Sequence, residues 1–319
     1  MVAKARGGLF LVALLLPAPA ARAWNDHGHM VVAALAYRQL TPGARARATA
    51  LVRLNPEYAR WIAGVAPADR DQVAFLRAST WADAIKRDAR YVNDPDRPRG
   101  GPAMAAAAVA EARPRPAPGY EDRLQHRDWH FIDLAFSADD TRGRRPPAPN
   151  VETQIAALRT TLAARDAPDL QKSHDLVWLL HLVGDVHQPL HCVSRFDRPL
   201  PNGDRGGNAI HLCAPPCTDT LHGFWDAAAG DGQDPATAWT QAADLPPAET
   251  ALAAAGDTRT WIAESVAAAR QSVYVAPVGE GDGPFTLDAR YEAQARRTAR
   301  QRLALAGARL ARLINRELR

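Results

Sequence analysis

Two short segments carry the residues best suited to chemistry. One is His181-Leu-Val-Gly-Asp185-Val-His-Gln-Pro-Leu-His191 and the other is His222-Gly-Phe-Trp-Asp226. Each places a His and an Asp four residues apart, so on a helix both side chains share one face and an imidazole nitrogen and a carboxylate can converge on one cation. A lone His-x3-Asp is weak, but two such pairs, with His191 just past the helix-ending Pro189, point to a polynuclear metal site. Other candidate donors are scattered along the chain: His29, Asp83 in Trp81-Ala-Asp83, and His130 in Trp129-His-Phe-Ile-Asp133. Zinc accepts this mixture of nitrogen and oxygen donors.

The elements that must position these residues read as helices. Helical periodicity runs over 28–40, 42–53, 69–88, 152–165, 171–188, 258–275 and 286–317, and no stretch alternates convincingly as a strand. Pro/Gly/Ala-rich stretches at 93–119 and 142–150 read as long surface loops rather than linkers, because helices on both sides of them contribute candidate ligands. The expectation is an all-α fold: one mainly helical domain over residues 24–319, with long loops and no internal repeat.

Residues 1–23 read as a removable secretory signal. Lys4 and Arg6 precede the apolar run from Leu9 to Leu16, and Ala21-Arg22-Ala23 is a small-x-small cleavage site. That run is too short to cross a bilayer, so the mature protein is expected to be exported, to the periplasm or beyond the cell, without a membrane span. Of the net charge of +4, Lys4, Arg6 and Arg22 supply three units, so overall basicity gives no argument for a polyanionic partner. Arg296, Arg297, Arg300, Arg302, Arg309, Arg312, Arg316 and Arg319 fall on the last helix and are read as its solvated face.

Cleavage after Ala23 has a chemical consequence. Trp24 then carries a free amine, which with its own carbonyl can close a five-membered chelate ring on a metal, and an α-amine deprotonates close to neutral pH. Cys192, Cys213 and Cys217 all lie between the two His/Asp segments; in an exported chain two of them are expected to pair, with the pairing left open by the sequence. The remaining histidines, His27, His126, His174, His187 and His211, are read as surface or core. His187 is set apart because, two residues past Asp185, it points to a different helix face. Trp81, Trp129, Trp178 and Trp225 are read as packing.

Taken in order, Trp24 with His29, Trp81-Ala-Asp83, Trp129-His130-Phe-Ile-Asp133, His181-x3-Asp185-x5-His191, Asp204-Arg-Gly-Gly-Asn208 and His222-x3-Asp226 resemble the trinuclear-zinc nuclease family typified by the nucleases S-one and P-one. The likeness covers nearly the whole chain after the signal. It implies the all-α fold of that family and of the zinc phospholipases C. It also implies three zinc ions and cleavage of single-stranded DNA and RNA to 5′-phosphorylated products, together with action on 3′-nucleotides, by a monomer.

Carried over residue by residue, the resemblance gives the first zinc to Asp83, His130, His181 and one oxygen of Asp185. It gives the second to the Trp24 amine and carbonyl, His29 and the other oxygen of Asp185, and the third to His191, His222 and Asp226. Two zinc ions sharing a water lower its pKa so that hydroxide is available for in-line attack on phosphorus. Asp133 is implied to orient the attacking water, though it could equally cap a turn, and Lys86 to lie near the scissile phosphate. Phe131 is implied as a stacking face for an unpaired base, and Asn208 with Gly207 as a contact to phosphate or base. Two rival readings are a zinc phospholipase C, whose family places Glu where Asp226 stands, and a non-catalytic exported zinc protein. Structural zinc sites are closed by four protein ligands, whereas the third group here offers three.

Overall fold

In the computed structural model of the chain, residues 24–94, 119–214, 216 and 218–318 are described. Residues 1–23, most of the first long loop, Pro215, Cys217 and Arg319 lie outside them. Helix α1 (Asp26–Arg38) starts because Asn25 accepts a hydrogen bond from the Gly28 amide at 3.0 Å, with Asp26 in the first turn where the helix dipole favours an acid. Its residues are buried almost all round, as expected of a central helix rather than a surface one. It packs against α4 (Arg70–Ala78), α7 (Asp169–Asp185), α9 (Pro235–Asp244) and α12 (Ala289–Glu317).

Helix α7 is the second axis of the core. Every residue from Lys172 to Asp185 is buried, and α2 (Pro42–Val52) and α6 (Val151–Ala163) cover it. The α6 start is fixed by a reciprocal cap between Asn150 and Thr153. The shorter helices are α3 (Tyr58–Trp61), α5 (Trp81–Ala84), α8 (Leu221–Ala227), α10 (Thr250–Ala254) and α11 (Thr258–Ala268). One contiguous apolar core runs through these layers, from Trp24 to Leu318. No helix among the described residues is long and apolar enough to cross a membrane.

Four departures from the sequence expectations have physical reasons. The helix expected over 69–88 is broken into α4, α5 and a 3-10 turn Ile85–Arg87. The hydroxyls of Ser79 and Thr80 donate back to the Leu76 and Arg77 carbonyls, at 2.6 and 2.9 Å, competing with the helix ladder at the break. Similarly, the periodicity over 258–275 ends as α11 followed by a π-turn Ala269–Val273. Strand β1 (Leu134–Phe136) pairs in parallel with β2 (Val193–Arg195), Leu134 opposite Val193; three residues are too few for alternation to be read from sequence.

The fourth departure concerns α12. Arg296, Arg297, Arg312 and Arg316 are exposed, but Arg302 and Arg309 are 7% and 1% exposed, so they do not belong to a solvated face. They are one hydrophobic repeat apart, seven residues, and so lie on the same side as Leu303 and Leu310, where their guanidinium groups meet partners on α11 and on the turn after α7.

Candidate metal centre

Asp185 is the last residue of α7 and is fully buried. Its Oδ2 lies 3.0 Å from Nδ1 of His130 and 3.3 Å from Nε2 of His181, while its Oδ1 lies 3.3 Å from Nε2 of His29. The carboxylate thus faces two sets of donors at once. Asp83 on α5 closes one of them, with Oδ1 at 3.7 Å from His181 and 3.9 Å from His130. A second grouping, His191, His222 and Asp226, stands beside it, with Nε2 of His222 3.5 Å from Oδ2 of Asp226 and the rings of His191 and His222 5.0 Å apart.

Backbone carbonyls orient three of the imidazoles. Nδ1 of His181 donates to Ser79 O at 2.7 Å, that of His191 to His130 O at 2.7 Å, and that of His222 to Gly206 O at 2.6 Å. A carbonyl only accepts, so the proton is on Nδ1 and Nε2 presents a lone pair to the cluster, the arrangement that fixes a metal-ligating tautomer. The break between α4 and α5 belongs to this arrangement, since it frees the Ser79 carbonyl. The β1–β2 pairing follows directly after His130 and His191 and, with Ile132 N donating to His191 O at 2.8 Å, ties those two segments together.

The donor set fits a cation. Ten buried side-chain nitrogen and oxygen atoms among the described residues make no hydrogen bond, and half of them sit here: both ring nitrogens of His29, Oδ2 of Asp83, Nε2 of His130 and Oδ1 of Asp185. Each such orphan costs about 1–3 kcal/mol, so their concentration in one place calls for a partner that accepts many lone pairs. Burial pushes the Asp185 carboxyl well above its usual range, with Asp83 adding to the effect. Asp83 moves the other way: burial opposes its charge, but Lys86, His181, His130 and His29 outweigh that and hold it well below the usual carboxylate range. Burial lowers His29 and His130, and it brings His181 down to about 4, so the imidazoles are neutral donors at physiological pH.

Trp24 is fully buried, and its indole donates to Gly184 O at 3.1 Å, next to Asp185. The neighbouring Asn25 amide donates to Asp226 O at 3.1 Å, so the start of the described chain is pinned between the two groupings. Two glycines make the approach possible. A Cβ on Gly28 would lie 2.8 Å from the Trp24 Cβ, and one on Gly184 would lie 2.9 Å from Nδ1 of His29.

Lys86, 6% exposed in its side chain, places Nζ 2.7 Å from Oδ1 of Asp83, at the edge of the cluster. Among the described residues, the Asp133 carboxyl makes no hydrogen bond to a backbone amide and so caps no turn; burial, then Asp204 and Asp128, raise it to about 7. Phe131 is half-buried beside His130. Asn208 is half-buried and spends one amide hydrogen on Arg205 O at 2.9 Å. Gly207 is buried and accepts from His222 N at 3.3 Å, so the Gly-Gly turn supports the His191–His222–Asp226 grouping directly. Its neighbour Gly206, at φ +62°, could not carry a Cβ without meeting Leu190 O.

Gln188 stands in the sequence only as part of the Gln-Pro-Leu-His segment. Its Nε2 donates to Oδ1 of Asp226 at 2.7 Å and its Oε1 accepts from Leu190 N at 2.5 Å, so one side chain links the two parts of the His191–His222–Asp226 grouping. Its position between Asp185 and His191 was the available signal. His187, His27, His126 and His174 are buried away from the cluster and His211 is exposed. Trp81 packs edge-on and Trp129 at a tilt against Trp178, whose ring lies 5.6 Å from that of His130. Cys192 is free and buried, which leaves Cys213 and Cys217 as the pair open to a disulfide.

Endonuclease 2 of Arabidopsis thaliana is 25% identical to the chain over 225 residues, which is 69% of this chain and 60% of that protein. The match thus spans less than two thirds of that relative. A profile of the S1/P1 nuclease family matches residues 24–319, the whole of the chain beyond the signal-like segment. With both groupings of His and Asp lying inside that span, the chain belongs to the S1/P1 nuclease family.

Proposed function

We propose that this protein is a zinc-dependent endonuclease that hydrolyses phosphodiester bonds of single-stranded DNA and RNA to 5′-phosphorylated products and also acts on 3′-nucleotides. The observation that carries this reading is the split of Asp185, one oxygen toward His29 and the other toward His130 and His181, with the His191–His222–Asp226 grouping alongside. Asp83, His130, His181 and Asp185 would hold one ion, Trp24, His29 and Asp185 a second, and His191, His222 and Asp226 a third. When bound, zinc ions supply Lewis-acid stabilisation of phosphoryl oxygens and a water acidic enough to react near neutral pH.

The chain's own groups do the rest. Asp133, raised to about 7 and three residues from His130, would in its ionised form orient the attacking water and accept its proton near neutral pH. Lys86 compensates Asp83 and presents a cation at the edge of the cluster, where a phosphate would arrive. Phe131 offers a half-exposed ring to an unpaired base, and stacking of this kind excludes bases held in a duplex. Asn208 and Gly207 line the supporting turn and contact the same substrate. Export follows from the signal-like segment, with cleavage after Ala23 releasing the Trp24 amine.

The test uses the mature chain with single-stranded and duplex oligonucleotides, each with and without a chelator. Selective, chelator-sensitive cutting of single strands with 5′-phosphate on the products is expected. Equal cutting of both forms, or activity that survives chelation and returns no metal by elemental analysis, rejects the reading.

A further inference from the structure

Between Asp185 and His191 the chain leaves α7 through His187 and Gln188 and enters the 3-10 turn Pro189–His191. His187 N donates to Gly184 O at 3.0 Å and Gln188 N to Asp185 O at 2.9 Å, so the carbonyls of Val183, Val186 and His187 are left over by the helix ladder. Each finds a side-chain donor. Val183 O accepts from Nδ1 of His187 at 2.7 Å, Val186 O from the Ser265 hydroxyl at 2.6 Å, and His187 O from Nε of Arg302 at 3.0 Å.

These donors are joined into one buried network. Nη2 of Arg302 donates to Ser265 Oγ at 2.6 Å and its Nη1 to Glu264 at 3.2 Å. Nη1 and Nη2 of Arg309 each donate to Glu264 at 2.7 Å, and Nη1 also donates to Nε2 of His187 at 2.9 Å. An arginine only donates, so Nε2 of His187 must accept and its proton must be on Nδ1, where the Val183 bond needs it. Both ends of that imidazole are therefore assigned, and neither faces the metal-type cluster.

Two buried guanidinium groups share a single carboxylate here. As a source of stability this is a poor design, since apolar residues of the same size often do better than buried ions. What the pair does supply is direction: planar forks of N–H donors from α12 hold the turn at fixed points. The other face of the same turn carries His191 and Gln188, which meet His222 and Asp226. His29, Asp83, His130 and His181, by contrast, are carried by α1, α5, the Arg127–His130 turn and the interior of α7.

We propose that Arg302 and Arg309, through Glu264, Ser265 and His187, form a strut that sets the position of His191 and Gln188 relative to Asp185 and so assembles the third ion site. They are positioning residues: none touches substrate or the ligand atoms. The inference rests on the three-zinc reading above.

Zinc bound per chain, titrated against free zinc fixed by a chelator buffer, tests it together with melting of the zinc-free forms. Arg302→Met and Arg309→Met are expected to bind two zinc ions as the wild type does and the third about 10- to 100-fold more weakly, the range for loss of a ligand's support. Arg159→Met removes an ion pair to Glu317 at 2.9 Å far along the sequence from the turn, and should lower the melting temperature while leaving the zinc titration unchanged. Should the arginine variants not fold, Ser265→Ala deletes the hydroxyl's bonds to Val186 O and Arg302 and its contact with the Cys192 thiol, and a several-fold selective weakening of one ion is expected. Wild-type titrations in all the folded variants, or equal weakening of all three ions, overturn the strut alone. A wild-type chain that never binds a third ion overturns the three-zinc reading, and the strut with it.

Discussion

Asp185 has two oxygens facing different donors, and that is a property an amide lacks. Asp185→Asn presents one neutral oxygen, so on the proposed three-zinc site we predict that the zinc content of the purified protein falls to one or none and that activity drops at least ~1000-fold, the scale of losing electrostatic stabilisation of the transition state. Burial already favours the uncharged carboxyl in the zinc-free protein, so Asn, its near-isostere, should leave the zinc-free melting temperature close to wild type. A variant that keeps three zinc ions would refute the bridging role. Asp133 gives a second prediction. Burial, then Asp204 and Asp128, raise it to about 7. The folded state therefore binds this proton more tightly than the unfolded chain, and the resulting stability is full below the ordinary carboxylate range and lost as pH rises through about 7. Asp133→Asn should make the zinc-free protein melt higher than wild type above pH 7, with the advantage fading in acid. Activity should fall about 100-fold, with the acidic limb of its pH profile removed. A stability advantage that does not change with pH would be the contrary result.

At the scale of elements, α7 shows why the site demands irregularity around a regular helix. Gly184 sits inside it, where alanine ordinarily stabilises a helix by about 1 kcal/mol. Here the added Cβ would lie 2.9 Å from Nδ1 and 3.2 Å from Cε1 of His29. Gly184→Ala is predicted to lose about 1–3 kcal/mol in urea unfolding and to weaken zinc binding at the His29 side. A gain in stability would show that the ring has room to move. The break at Ser79 and the paired strands after His130 and His191 belong to the same logic, since each places a carbonyl or a segment against a ligand. Neither was legible in the sequence. The helical period persists across the break, and a three-residue strand has too few residues to display a period.

For the whole molecule, the proposed second ion site depends on cleavage after Ala23 freeing the Trp24 amine. Trp24 is buried against Gly184 while Asn25 is bonded to Asp226 O, so the Trp24–Asn25 segment is held between the groupings. A version carrying one extra residue before Trp24 is predicted to lose the proposed second zinc and to keep less than about a tenth of the activity, because acylation delocalises the nitrogen lone pair into the new carbonyl and leaves it a poor metal donor. Full zinc content in that version, measured by elemental analysis, would remove Trp24 from the ligand set.

By itself, the sequence determined the helical class, the order of the His and Asp donors, and the separation of His187 from the ligands, because helix periodicity and four-residue spacing are local properties of the chain. Only the tertiary structure decided which donors meet through Asp185, that Gln188 ties Asp226 to the turn, and that Arg302 and Arg309 face inward. Those depend on contacts between residues tens to more than a hundred positions apart, such as Arg302 with His187 and His181 with Ser79. The arginine spacing on α12 fits an outward or an inward stripe, and only the buried carbonyls and Glu264 waiting on the other side select the second.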